Sequence, residues 1–323
     1  MRMRAVMVGT AVVLALGFQA TTLHAQSAPS WEMPSDDQRC PSKWGAGDQL
    51  GSANLMTPET VLRAARLIRT GQVFELGDVL SNDPNVSYIP PGRTFSVYPT
   101  PVNVRPDRRS MASETVVTEL GQIGTQFDGF AHQIWGDSFY NCFNYSDVVS
   151  SRGYTKLGLE NAKTLMTRGV LIDVAALKGV AMLPESYEIT VADLEQALAR
   201  ENMTLESGDA VVINTGWSSL MGKDNAEFRR APAGLGPAGA LWLVKQDPML
   251  IAADNCCIEV QPSPEGTSLP VHLISLVQHG VHLIENLRLA ELAAARAYEF
   301  AFVVQPLKIM GGTGSTVVPV AIR

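Results

Sequence analysis

Short continuous apolar runs mark the middle of the chain, a pattern typical of strands that are buried on both faces of a sheet. They occupy 169–175 (GVLIDVA), 210–214 (AVVIN) and 250–253. Helical patterns lie between these runs, and strands that alternate with helices predict a mixed α/β sheet.

Helix-start signals frame these strands. Thr57 followed by Pro58 predicts an N-cap and a first helical residue, and Gly71 predicts the end of that helix. Thr190 with Asp193 forms a capping-box pattern. The other predicted elements are helices over 191–200 and around 238–245, a short helix from His272 to Gly280, and strands over 72–76, 281–284, 299–306 and 317–322. The stretch 81–109 shows no hydrophobic periodicity and is interpreted as a long surface loop.

Most of the candidate chemistry lies in the segment 119–141. Gln122, Gln126 and Asp128 offer oxygen ligands, and His132 follows shortly after them. On a straight strand, positions 122 and 126 would lie about 13 Å apart, so a shared ion requires a kink at Gly124. Two interpretations stay open: a metal or general-base site, or an unbroken strand whose even positions line one solvated face.

Composition places the chain among globular proteins, because 323 residues of which 46% are hydrophobic can bury a large core. The first 25 residues carry Arg2 and Arg4, an apolar run and a small-residue cleavage site, which together predict a signal peptide and a periplasmic or secreted protein. We expect an N-terminal arm over 26–43 and one hydrolase domain over 44–323. Removing the two arginines changes the formal charge from −7 to −9, which argues against nucleic-acid and membrane partners.

Four cysteines, an even number, allow one disulfide in an oxidising compartment. Cys256 and Cys257 are adjacent and can hardly pair without backbone strain. The interpretation favoured for the cysteines is that of small buried hydrophobic residues rather than any cysteine chemistry.

The remaining histidines divide into two groups. His279 and His282 flank a turn and are predicted at the surface or an interface. His272 and Glu285 begin and end one helix-turn-strand unit, which can direct both side chains to one place. Gly-x-Ser-x-Gly, His-Glu-x-x-His, Walker and dinucleotide motifs are absent. A serine hydrolase that pairs an unmarked serine with His132 stays open.

Four segments, taken in order, resemble the cyclase family, which contains kynurenine formamidase-like (arylformamidase) and isatin hydrolase-like metal-dependent amidohydrolases. They are 44–59 (WGAGDQLGSANLMTPE), 121–132, 270–292 and 311–323. The resemblance implies one α/β domain with a mixed barrel-like β-sheet flanked by helices, the swivelling β/α fold, and a homo-oligomer.

The family pattern His-x-Gly-Thr-His-x-Asp-x-Pro-x-His reads Gln-Ile-Gly-Thr-Gln-Phe-Asp-Gly-Phe-Ala-His from Gln122 to His132. By resemblance, the divalent metal ligands are Gln122, Gln126, Asp128, His272 and Glu285, and His132 is the general base or acid. Glutamines replace two imidazoles, as in longer bacterial members that resemble this chain. Amide oxygens are weaker and harder ligands, so Mn²⁺, Mg²⁺ or Ca²⁺ suits this set better than a tightly held Zn²⁺. The glutamines could instead bind substrate.

The resemblance therefore predicts hydrolysis of an amide, formamide, lactam or lactone/ester bond by metal-activated water, with a small, aromatic substrate as one option. The residues predicted to form an apolar wall for a ring are Phe127, Phe130, Trp135 and Trp217. Two alternatives stay open: a binding protein without catalysis, and a metal-free hydrolase that uses His132 alone. Export argues against kynurenine formamide as the natural substrate.

Overall fold

A nine-stranded curled sheet forms the centre of the chain in the computed structural model, which describes residues 31–263 and 267–323. The predicted signal peptide lies outside the described residues. The strands are β1 (Val73–Glu75), β2 (Phe95–Pro99), β3 (Glu114–Thr118), β4 (Gln126–Asp128), β5 (Val149–Ser150), β6 (Gly153–Tyr154), β7 (Leu165–Asp173), β8 (Glu188–Ile189), β9 (Ala210–Asn214), β10 (Gly234–Leu235), β11 (Leu250–Ala253), β12 (His282–Glu285), β13 (Glu299–Val304), β14 (Gly314–Thr316) and β15 (Val320–Ile322).

The sheet is mixed, with the order β1-β15-β13-β7-β9-β11-β12-β4-β14. β7, β9, β11 and β12 run parallel, and the strands on either side of this group pair antiparallel. The prediction of a single α/β domain built on a mixed barrel-like sheet is confirmed. Smaller pairs form between β2 and β3, β5 and β6, and β8 and β10. The stretch 81–109 is therefore partly regular, because it contains β2.

Helices cover the sheet. They are α1 (Asp36–Arg39), α2 (Pro58–Ala65), α3 (Tyr145–Val148), α4 (Val174–Leu177), α5 (Val191–Glu201), α6 (Asn225–Arg230), α7 (Pro237–Val244), α8 (Pro270–His272) and α9 (Ala290–Ala294), with a π-helix at Leu273–His279. Thr57 and Thr190 accept the backbone N–H groups of Thr60 and Asp193, as the capping patterns predict. Within the described ranges, every helix is too short or too polar to cross a bilayer.

The parallel strands are buried on both faces, which explains their continuous apolar runs. Val170, Val211 and Ile251 belong to one core cluster, which α5, α7 and the π-helix complete. The intervening residues, such as Leu171 and Val212, belong to a second cluster with aromatic residues of β13. β7 ends at Asp173, two residues before the predicted end, because the Asp173 carboxylate accepts the N–H of Ala176 and begins α4.

The segment before Trp44 is held to the rest of the domain by covalent and polar contacts. A disulfide joins Cys40 to Cys142, 102 residues apart in sequence. Arg39 is buried and donates to the carbonyl of Phe139 at 3.2 Å. The expectation of an unpacked arm is therefore corrected for 36–43, and the interpretation of the cysteines as simple hydrophobic residues is wrong for this pair.

One buried acid lies at the junction of α5 and β7. Glu201 Oε1 accepts the N–H of Asp173 at 3.1 Å, and its Oε2 has no partner among the described residues. Burial raises the pKa of Glu201 to about 7, against the opposing effect of the Asp173 N–H. The neutral form therefore favours folding, and this contribution is lost as the pH rises from 4.5 through about 7.

We expect Glu201→Gln to be more stable than the parent at a pH of about 8, by on the order of 2 kcal/mol, and about equally stable at a pH of about 4. The amide keeps the acceptor for Asp173 but has no charge to bury. Chemical denaturation at both pH values measures this difference. Glu195→Gln, on the exposed side of the same helix, is the control. A gain that does not depend on pH would contradict the explanation.

Candidate active site

The polar motif of 122–132 bends sharply at Gly124. This residue has φ +57°, a left-handed conformation that favours glycine, and a Cβ there would also displace the end of the Leu80 side chain. β4 begins only after the bend, at Gln126, and both Gln126 and Asp128 are buried. The interpretation of an unbroken strand with a solvated even face is therefore wrong.

β4 lies between β12 and β14 in the sheet. Its pairing with β12 brings together Asp128 and Glu285, which are far apart in sequence. Glu285 of β12 lies opposite Gln126, and Leu283 lies opposite Asp128. The Gln126 amide donates to Glu285 Oε2 at 3.0 Å. Because side chains alternate along a strand, Phe127 points to the opposite face, into the core.

His272 is held at the end of α8, among three carboxylates. Its Nδ1 lies 2.7 Å from Oε1 of Glu259, and its Nε2 lies 3.0 Å from Oε1 of Glu285 and 3.8 Å from Oδ2 of Asp128. Glu259 also accepts the backbone N–H groups of Val271 and His272, both at 3.2 Å. Glu259 therefore orients the His272 ring. Sequence reasoning missed it, and the only available signal was a lone acid between Ile258 and Val260.

His132 approaches the same point from the other side. Ligand atoms of Asp128, His132 and His272 all lie within 4.8 Å of one another, close enough to hold one metal ion. Both carboxylate oxygens of Asp128 are buried without a well-formed hydrogen bond in the described part of the chain, although the Gln122 amide is near enough to lower the pKa of Asp128. A buried carboxylate without a partner is costly, and a divalent cation would supply the missing interaction. The residues present therefore fit a metal ion.

The pKa shifts describe the same excess of negative charge. Burial raises the pKa of Asp128, and the charges of His132 and His272 only partly oppose this. Burial, with repulsion from Asp128, raises the pKa of Glu285 to about 7 in spite of its contact with His272. Burial alone would lower the pKa of His272, but hydrogen bonds to Glu259 and Glu285 outweigh it and raise this pKa well above its usual value.

The two glutamines contact site residues through their amide nitrogens. Gln122 Nε2 lies 3.1 Å from Nδ1 of His132, and Gln126 Nε2 donates to Glu285. Each glutamine thus positions a neighbouring side chain. Metal ligation by Gln122 and Gln126, and the division of roles between His132 as catalyst and the other residues as ligands, stay predictions.

A cavity of about 340 Å³ opens beside this cluster. Its apolar wall contains Tyr88, Pro90, Pro91 and Leu269, and Arg93 and Arg229 also line it. The adjacent Cys256 and Cys257 form another part of the wall. All of these residues except the two cysteines escaped sequence reasoning, because they come from separate loops and from α6, which only the fold brings together.

The predicted aromatic wall is absent from this lining and has to be corrected. Phe127 and Trp217 are fully buried in the core. Trp135 is exposed and lines a neighbouring cavity that shares Gln133 and Leu269 with this one. Phe130 is buried and stacks on His282, with ring centroids 4.1 Å apart. Phe127, Phe130 and Trp217 therefore pack the structure behind the site instead of facing a substrate, and a substrate contact by Trp135 stays a prediction.

His282 is buried, so its predicted surface position is wrong, whereas His279 is exposed as expected. His282 Nδ1 lies 3.1 Å from the carbonyl oxygen of Asp128. Burial lowers the pKa of His282 to about 4, so the ring is neutral at neutral pH. The ring supports the backbone of β4 behind Asp128.

Fold and site together define an α/β protein with a buried carboxylate–imidazole cluster of the metal-binding kind at the wall of an open cavity. The model of the Cyclase family matches residues 23–260, and the chain belongs to that family. The matched range includes Asp128, His132 and Glu259 and ends before His272 and Glu285.

Solved structures with the same fold extend over most of the chain. The crystal structure of a novel cyclase is 35% identical, with a TM-score of 0.78, and the match covers 87% of this chain and 98% of that one. An isatin hydrolase bound to the product analogue thioisatinate is 19% identical, with a TM-score of 0.58 and coverage of 82% and 98%. Isatin hydrolase A from Ralstonia solanacearum is 18% identical, with a TM-score of 0.56 and coverage of 78% and 92%. No curated protein matches the chain.

Replacing Glu259 by glutamine should weaken divalent-metal binding by about 10- to 100-fold, because the variant keeps an acceptor but loses the charge that orients His272. Titration of the metal-free protein with Mn²⁺ and Zn²⁺ measures the affinity. Glu291→Gln, at an exposed position of α9, is the matched control. Equal affinities for both variants and the parent would show that Glu259 has no part in the metal site.

Proposed function

We propose that this chain is an exported, periplasmic or secreted, metal-dependent hydrolase of small molecules that cleaves an amide, formamide, lactam or lactone/ester bond. The observation that carries the proposal is the buried Asp128 carboxylate. It has no well-formed hydrogen bond in the described ranges, and it lies beside His132 and His272, which line an open cavity.

Asp128, His272 and Glu285 are the residues we assign to a divalent ion, with Gln122 and Gln126 beside them. When bound, such an ion polarises a carbonyl group and lowers the pKa of water. Glu259 fixes the His272 ring through Nδ1, so Nε2 faces Glu285 and Asp128. Oxygen ligands dominate this set, which favours Mn²⁺ or Mg²⁺ over a tightly held Zn²⁺.

His132 is the group that we assign to proton transfer. Its Nδ1 accepts an N–H of the Gln122 amide, so the neutral ring carries its proton on Nε2, from which it can be donated to substrate. Burial lowers the pKa of His132, and the charges of His272 and Arg93 act in the same direction, against that of Asp128. The ring is therefore neutral at neutral pH and, with its proton on Nε2, is placed to act as a general acid toward the leaving group. To act as a general base, Nδ1 must first be released by the Gln122 amide.

The two arginines of the cavity indicate a substrate whose product is an anion. Arg93 and Arg229 are exposed, and neither forms an ion pair or a side-chain hydrogen bond within the described residues. The chain as a whole is acidic, with a formal charge of −7, so these two guanidinium groups give the cavity a positive charge that the chain does not have on average. Hydrolysis of a lactam, lactone or ester releases a carboxylate, which a guanidinium group binds well.

The fold neighbours support the same substrate class. One isatin hydrolase of this fold was solved with thioisatinate, its product analogue, and we take from it the proposal of a small ring-containing substrate. A cavity of about 340 Å³ has room for a molecule of that size. Kynurenine formamide is not favoured, because an exported enzyme fits a cytoplasmic step poorly.

Chelation should abolish turnover of a panel of formamides, lactams and lactones, and Mn²⁺, Mg²⁺ or Zn²⁺ should restore it. His132→Ala should lower kcat by about 10²- to 10⁴-fold while the metal content stays near that of the parent. His279→Ala, at an exposed position on the other side of the π-helix, is the control. Initial rates and metal analysis of each protein provide the two readouts.

Each rival function gives a different result in that experiment. A binding protein would retain ligands without any turnover. A metal-free hydrolase would keep its activity after complete chelation, and Asp128→Asn would leave that activity largely intact. Either result would overturn the proposal.

Arg229→Gln should raise KM for substrates that carry a carboxylate by about 5- to 50-fold and change kcat little, because a charge-assisted hydrogen bond is lost. Neutral substrates should show a much smaller change. Arg230→Gln removes the neighbouring charge, which pairs with Glu185 and Glu227 outside the cavity, and is the matched control. Equal effects of both substitutions on KM would argue against an anion site.

A further inference from the structure

Cys256 and Cys257 lie side by side in the wall of the cavity, between β11 and Glu259. Both are half-buried, and their Sγ atoms are 2.6 Å apart. Non-bonded heavy atoms do not approach much closer than about 3.5 Å. Two separate thiols therefore cannot persist in this arrangement and must either move apart or form a bond.

The backbone on both sides of the pair is fixed. Before it, the buried carboxylate of Asp254 accepts the N–H and the hydroxyl of Thr215 at 2.8 and 2.6 Å. The carbonyl of Asn255 accepts the N–H of Asn286 at 3.0 Å. After the pair, Glu259 is tied to α8 by two backbone N–H groups. The two thiols thus have little freedom to separate by backbone movement.

We propose that Cys256 and Cys257 form a reversible vicinal disulfide, a redox-sensitive modification site in the wall of the cavity. Its oxidant is a disulfide compound of the glutathione type. One cysteine thiolate attacks this disulfide and releases one thiol, and the second cysteine then displaces the other thiol. Two cysteine thiols are oxidised, and the disulfide that was attacked is reduced to two thiols.

The bond would be more easily reduced than the other disulfide of the chain. Adjacent Cα atoms are about 3.8 Å apart across a trans peptide, below the roughly 4.4 to 6.8 Å of relaxed disulfides. The Cα atoms of Cys40 and Cys142 are 6.1 Å apart, within that range. The strain that argued against pairing in the sequence therefore makes the bond labile without preventing it.

The redox state would change the chemistry of the cavity. In the reduced form, the contact with Cys256 and burial raise the pKa of Cys257. The charges of Glu285 and Glu259 act in the same direction. A vicinal dithiol binds thiophilic reagents such as a trivalent arsenical, whereas the disulfide does not. This difference gives a positive test for each form.

The test uses the mature protein purified without reductant. The protein is denatured in the presence of iodoacetamide and digested, and the masses of its peptides are measured by mass spectrometry. We expect the peptide with Cys256 and Cys257 to be unalkylated and two hydrogens lighter than its dithiol form. The folded protein is then titrated with dithiothreitol. The Cys256–Cys257 bond should be reduced at a ratio of reduced to oxidised dithiothreitol at least about tenfold lower than the ratio that reduces Cys40–Cys142. The partly reduced protein should then bind one equivalent of phenylarsine oxide.

Cys256→Ser and Cys257→Ser are the matched variants, and each should leave one alkylatable thiol and lose the arsenical. One result would overturn the proposal. Iodoacetamide would alkylate both Cys256 and Cys257 of the parent while the Cys40–Cys142 disulfide is intact, and it would still alkylate both after incubation with oxidised glutathione. If the variants fail to fold, the thiol count of the parent still decides. This count needs neither turnover nor metal, so its outcome is independent of the proposed function.

Discussion

Three buried carboxylates crowd one imidazole in this protein, and the rest of the site depends on that excess of negative charge. Asp128 and Glu285 approach His272 from one side and Glu259 from the other. Charges of one sign cannot be buried together unless they are neutralised by protons or by a cation. Asp128, whose oxygens have no well-formed hydrogen bond in the described chain, is the residue at which a divalent ion would complete the arrangement.

The sheet creates this crowding by pairing strands that are far apart in sequence. β4 and β12 lie side by side, so Gln126 and Glu285 face each other across the ladder. Phe127 and the stacked rings of Phe130 and His282 pack behind β4 and hold it in place. The rigid core therefore stabilises a cluster whose own charges would otherwise drive it apart.

The glutamines give the site a different character from the family pattern of histidines. Gln122 contacts His132 and Gln126 binds Glu285, so neutral amides replace two imidazoles without adding charge. Arg93 and Arg229, which are exposed in the lining of the cavity, supply positive charge there. Recognition of an anionic group and neutralisation of the buried acids are thus divided between different parts of the cavity.

The sequence by itself determined the features that depend on local physics: the bounds of β9 and β11 from their apolar runs, the caps at Thr57 and Thr190, and the order of motifs that indicates the family. It also marked Asp128, His132, His272 and Glu285. Only the tertiary structure decided which aromatic rings face the core, that Glu259 orients His272, that His282 is buried, and that Cys40 reaches Cys142. These features depend on contacts between residues that are distant along the chain. Helix and strand periodicity encodes which face of an element is apolar, but not what packs against that face.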